Sequence, residues 1–181
     1  MKVVLAVAVL ALMASCGTSS SGKEEGGVDI AAETPAQRAP ARFTIVPDDY
    51  HVPYAGTAGD GRKFFLSEEL FHDDTAFVGL FLWHADGTFD EVKVSAVQKP
   101  SGAPPGQAVP AGAPELIDAR LRELGDYTLE PITVEPFTEK VHGVRFGWHI
   151  GRYDDGTYFI NIVPGDFIAY YAPWDGLEYD T

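Results

Sequence analysis

Residues 76–83, Ala-Phe-Val-Gly-Leu-Phe-Leu-Trp, restrict the fold of this chain more than any other segment. In an extended strand successive side chains point to opposite faces. Phe77, Phe81 and Trp83 therefore share one face, and Val78, Leu80 and Leu82 share the other. A strand that is apolar on both faces belongs at the centre of a sheet with a layer on each side. It runs into Asp86-Gly87, where glycine supplies the positive φ that a tight hairpin requires. The return segment, residues 88–97, mixes Val92, Val94 and Ala96 with Glu91, Lys93 and Ser95, the pattern of a half-exposed partner strand.

Further strand patterns cover residues 43–46, 62–66, 144–150, 157–163 and 167–171. The turn signals Gly59-Asp60-Gly61, Asp155-Gly156 and Pro164-Gly165-Asp166 punctuate them. In residues 144–150, Val144, Phe146, Trp148 and Ile150 alternate with Arg145, Gly147 and His149. Residues 127–134 follow a strand pattern that Pro131 interrupts, which predicts an edge strand or a break. A Pro/Gly/Ala-rich stretch, residues 100–112, reads as a loop. After it Pro114 suits a first helical turn, Glu115 complements the helix dipole, and Gly125 closes the end. Leu116, Ile117, Leu121 and Leu124 give that helix a stripe for packing on a sheet. The expectation is a single α+β domain over residues 43–181: a mainly antiparallel sheet of about six or seven strands with one helix packed on it.

Ahead of the domain, Lys2 precedes an unbroken apolar run over residues 3–13, and the small residues Ala14 and Ser15 follow. This is the pattern of an export signal, here residues 1–15. The run falls short of the roughly 20 apolar residues that span a bilayer. Residues 16–42 have linker composition, flexible over 18–22 and stiffer near Pro35 and Pro40. Cys16 is the only cysteine, so the domain has neither an internal disulfide nor a catalytic thiol and is held by its core alone. The net charge of -14 repels nucleic-acid backbones and excludes nucleic acid as a partner.

None of the five histidines, His51, His72, His84, His142 and His149, has the spacing of a helical metal-ligand pair. Sites such as His72-Asp73-Asp74 or His84-Ala85-Asp86 would need the fold to converge them. Asp86-Gly87-Thr88 and Asp155-Gly156-Thr157 lack the closing glutamate of a calcium loop and read as turns. A Gly-x-Ser-x-Gly elbow and a phosphate-binding glycine loop are both absent. No catalytic residue, metal or cofactor is therefore assigned. The tail, residues 170–181, sets aromatics beside acids, a composition that recognises a sugar or a protein segment when exposed and locks the chain end when buried. Pro173 and Gly176 on either side of Trp174 favour locking, with Trp174 and Tyr179 pinned across the sheet. Trp174, Asp175, Tyr179, His84 and His149 are the binding candidates.

Leu12-Met13-Ala14-Ser15-Cys16 resembles the lipobox of bacterial lipoproteins. The resemblance implies cleavage before Cys16, acylation of that residue and a domain anchored in the cell envelope through lipid. Several acyl chains on one residue suffice for stable anchoring. Taken in order, four further segments resemble a family of small bacterial proteins described as formate hydrogenlyase regulatory proteins. These are residues 60–65, the strand end Trp83-His84-Ala85-Asp86-Gly87, residues 143–147, and Pro173-Trp174-Asp175-Gly176 with Tyr179 and Thr181. That likeness implies one compact domain over about residues 50–181 and a cytoplasmic role, with no functional residues to carry over. The primary expectation is a non-enzymatic envelope lipoprotein whose acidic domain binds a protein or glycan partner. Its alternatives are a carboxylate- or metal-dependent envelope hydrolase and a regulator related to the formate hydrogenlyase regulators.

Overall fold

A computed structural model of the chain describes residues 34–97 and 113–180, so the proposed signal peptide, Cys16 and the loop at 100–112 lie outside the described residues. Strands β1 to β5 come first: Phe43–Ile45, Tyr54–Ala58, Lys63–His72, Thr75–Trp83 and Phe89–Val97. Helix α1, Ala113–Leu124, follows. Strands β6 to β12 complete the domain: Tyr127–Leu129, Ile132–Val134, Thr138–Val141, Val144–Arg152, Tyr158–Val163, Ile168–Tyr170 and Glu178–Asp180. Every pairing is antiparallel.

The α+β class stands, but the single sheet of six or seven strands becomes twelve strands in three sheets among the described residues. A first five-stranded sheet has the order β5-β4-β3-β2-β6, a second the order β12-β11-β10-β9-β8, and β1 pairs with β7 alone. Alternation reports which face of a strand is buried and says nothing of which sheet it joins. One apolar core spans all three sheets. Phe65, Phe81 and Trp83 of the first meet Phe146, Trp148, Ile160 and Tyr170 of the second, with Phe43, Ile45, Ile132 and Val134 of the small pair among them.

The strand at 76–83 lies where its two apolar faces require. Phe81 and Trp83 enter the core between the sheets, and Phe77 packs at its margin. Val78, Leu80 and Leu82 turn the other way, into a second cluster that Ile117 and Leu124 of α1 close. The helix runs from Pro114 in its first turn to Gly125, whose φ of 69° ends it. The order of layers is thus second sheet, first sheet, helix.

Pro131 divides residues 127–134 as a proline should, and the two halves serve different sheets. β6 adds to the edge of the first sheet beside β2, while β7 pairs with β1. Residues 34–42, assigned to the linker on composition, lie against the domain: Pro40 is buried, and Arg42 bonds the Asp86 carbonyl and sits 3.5 Å from Glu135. Among the described residues no helix is long and apolar enough to cross a membrane.

Candidate functional site

The two outer faces of the sandwich differ. That of the first sheet is covered by α1. In the second sheet Phe146, Trp148, Ile160 and Ile162 point into the core, so the intervening residues of β9 and β10 point outward. They are Arg145, Gly147, His149 and Gly151 on β9, and Phe159 and Asn161 on β10. Cross-strand register sets His149 opposite Asn161 and Gly151 opposite Phe159. A Cβ at position 151 would lie 2.1 Å from the Phe159 ring, so the missing side chain is what lets that ring lie across the sheet.

Phe159 belongs to an aromatic group. Its ring centroid is 4.6 Å from that of Tyr153, and Tyr153 stacks at 6.4 Å and 9° on Tyr171, with their hydroxyls 3.0 Å apart. Tyr153 is 47% exposed, high for an aromatic residue in contact with two others. Beside the rings, Asn161 Nδ2 donates to Asp166 Oδ1 at 2.6 Å, while Asn161 Oδ1 is buried and accepts no hydrogen bond. These residues with Gly165 and Ala169 line a cleft of about 370 Å³.

A second cleft, of about 480 Å³, begins on the other side of Gly165 and Asp166. It lies where three turns meet: those between β3 and β4, β8 and β9, and β10 and β11. Phe71, His72 and Asp73 come from the first, Lys140 and Arg145 flank the second, and Gly165 and Asp166 belong to the third. The two-residue turn His142-Gly143 has positive φ at both positions, 50° and 91°. That turn geometry fixes the register of a hairpin, and here it sets Lys140 opposite Arg145. The two clefts share Gly165 and Asp166 and adjoin there.

Sequence reasoning located little of this. Of the five candidates, His149 lies on the outward face opposite Asn161, and the register through Ala169 sets Tyr179 in the same cross-strand row. His84 stands at the turn between β4 and β5 on the first sheet, 3.9 Å from Asp90. Trp174 is half-buried against the core margin, and its carbonyl accepts the Thr44 N–H at 2.9 Å. Asp175 is exposed and accepts the Leu177 N–H at 3.4 Å, and the backbone of Tyr179 pairs opposite Ala169. The structure does not gather these residues. Among the described residues no three His, Cys, Asp or Glu side chains form a metal-binding group.

One further polar pair has a catalytic look. A bulge between Ser67 and Leu70 sets Glu69 so that its carboxylate lies 2.8 Å from His51 Nδ1. The Ser67 hydroxyl accepts the Glu69 N–H at 3.1 Å. The cavity beside them holds about 50 Å³, against the roughly 300–1,000 Å³ of ligand pockets, so a substrate has no room there. Burial, then the neighbouring Glu69, pushes the Glu68 carboxyl above its ordinary pKa.

An antiparallel sandwich with one outer face closed by a helix and the other carrying an aromatic and polar groove defines the class of this protein. No protein-family model, no curated protein and no solved structure matches the chain.

Proposed function

We propose that the chain is a lipid-anchored protein of the cell envelope, acylated at Cys16, whose domain binds a ligand through the outer face of its second sheet without chemical turnover. The observation that carries the binding reading is the group Tyr153, Phe159 and Tyr171 beside Asn161 and Asp166. Aromatic rings favour burial strongly, and rings left partly exposed next to polar groups are typical of recognition surfaces. The anchor reading rests on the apolar run that ends at Ala14-Ser15-Cys16. The tail contributes by holding β11 in place, through the bond that the Thr44 N–H of β1 donates to the Trp174 carbonyl, rather than by reaching for a partner.

Site-specific photocrosslinking in cells of the native host tests the reading. A benzophenone amino acid at position 171 should yield adducts, and one at the exposed helix residue Arg122 should yield none. Adducts at 122 with none at 171 would place the working surface on the helix layer and overturn the assignment.

A further inference from the structure

Lys140 and Arg145 are cross-strand neighbours on one face of the β8–β9 hairpin. Like charges directly opposite one another in a sheet repel. Neither forms an ion pair among the described residues, although the chain carries 27 acidic side chains against 13 basic ones. Their cleft also holds two carboxylates, which pair with neither cation: Asp73 lies 3.6 Å from His72, and Asp166 accepts the Asn161 amide. The arrangement sets two cations side by side at one end of the groove, with neither of them in an ion pair among the described residues. At the other end lie the three aromatic rings and a buried acceptor, Asn161 Oδ1, that lacks a donor.

We propose that the groove binds an acidic saccharide, with a carboxylate or phosphate of the sugar at Lys140 and Arg145 and a neighbouring pyranose ring on Tyr153, Phe159 and Tyr171. This rests on the binding reading above and names its ligand class. The negative face of an aromatic ring attracts the slightly positive C–H face of a pyranose. The guanidinium of Arg145 can take a carboxylate or phosphate in a bidentate pair, and Lys140 adds a point charge. The overall negative charge of the protein opposes an anionic ligand at long range. At physiological salt, however, that field decays over about 8 Å, so the adjacent cation pair dominates at contact.

Isothermal titration of the full-length chain in detergent tests this with uronate tetramers from polygalacturonate, alginate and hyaluronan, and with a sugar phosphate. Each uronate is compared with its methyl ester, which keeps the rings and removes the charge. At least one acidic probe should bind at least ten-fold more tightly than its ester or its unphosphorylated sugar. Lys140→Gln/Arg145→Gln should abolish that difference, and Tyr153→Ala/Tyr171→Ala should abolish binding of both forms. Unchanged thermal melts would show that the variants fold. Equal binding of acid and ester would overturn the charge assignment and leave the aromatic groove standing. Binding that survives both double variants would overturn the groove itself. If no probe binds while position 171 still crosslinks in cells, the ligand is not an acidic saccharide; an acidic peptide captured there would be that outcome.

Discussion

Trp148 and Trp174 show how differently two tryptophans of one chain are used. Trp148 is 1% exposed, and its ring centroid lies 5.1, 5.3 and 5.5 Å from those of Phe43, Phe65 and Tyr170. Trp174 sits half-buried at the margin of the same core and is held by its backbone. Truncating a buried aromatic typically costs about 3–5 kcal/mol, a large share of the roughly 5–15 kcal/mol that hold an ordinary domain. Trp148→Ala should therefore lower the urea midpoint severely or prevent folding. Trp174→Ala should cost less, about 1–2 kcal/mol for the apolar surface it covers. Chemical denaturation of both variants checks the order, and a larger loss for Trp174→Ala would contradict it. Gly56 has a different role: a Cβ there would fall 1.9 Å from the Thr128 carbonyl oxygen. Gly56→Ala should push β6 off β2 and destabilise the first sheet by about 1–3 kcal/mol, read by the same denaturation.

Among the elements, three hairpins share one turn. In each an Asp-Gly pair closes the connection: Asp60-Gly61, Asp86-Gly87 and Asp155-Gly156, with the glycine at φ of 86°, 84° and 89°. Each aspartate accepts the backbone N–H two residues on, from Arg62, Thr88 and Thr157. Those bonds hold all three carboxyls below their ordinary pKa: chiefly the backbone N–H of Arg62 for Asp60, the Thr88 hydroxyl for Asp86, and the Thr157 backbone N–H for Asp155. A carboxyl lowered in the folded state contributes stability above its unfolded pKa. It loses that contribution as pH falls through the folded value. Glu68, raised by burial, works in the opposite sense. The triple replacement of Asp60, Asp86 and Asp155 by Asn keeps the acceptor oxygens and removes the titration. Melting temperature should then fall less between about pH 5 and 2 than in the parent. An unchanged pH profile would show that these turns do not carry the acid sensitivity.

The same elements show what was legible in the sequence. The two-faced strand, the break at Pro131, the helix between Pro114 and Gly125 and the Asp-Gly hairpins were all readable, because each depends on residues adjacent in the chain. β2 was missed since Tyr-Ala-Gly-Thr-Ala has no apolar alternation; its place between β3 and β6 comes from its partners. β8 was missed for its polar sequence, Thr-Glu-Lys-Val. The groove was missed because its residues come from turns far apart in the chain. Phe159 was its one local sign, a large apolar residue on the phase opposite Ile160 and Ile162.

At the scale of the whole domain, a core shared by all three sheets of the described residues couples their unfolding. Near-ultraviolet and far-ultraviolet circular dichroism should report one coincident urea transition, whereas separated midpoints would show two independent units. At the other end of the chain, Cys16→Ser should abolish incorporation of a tagged palmitate. Equal labelling of parent and variant would remove the lipid anchor from the proposal. The central claim, a ligand seated on the outer face of the second sheet, is tested most directly by hydroxyl-radical footprinting. The chain would be compared in native envelope membranes and after purification in detergent. Tyr153, Phe159 and Tyr171 should be oxidised less in the membranes, while Tyr50, 72% exposed and outside the groove, and Tyr127, on the edge strand β6, should react equally in both. Equal oxidation of Tyr153, Phe159 and Tyr171 in both preparations, with protection at Tyr127 instead, would contradict it.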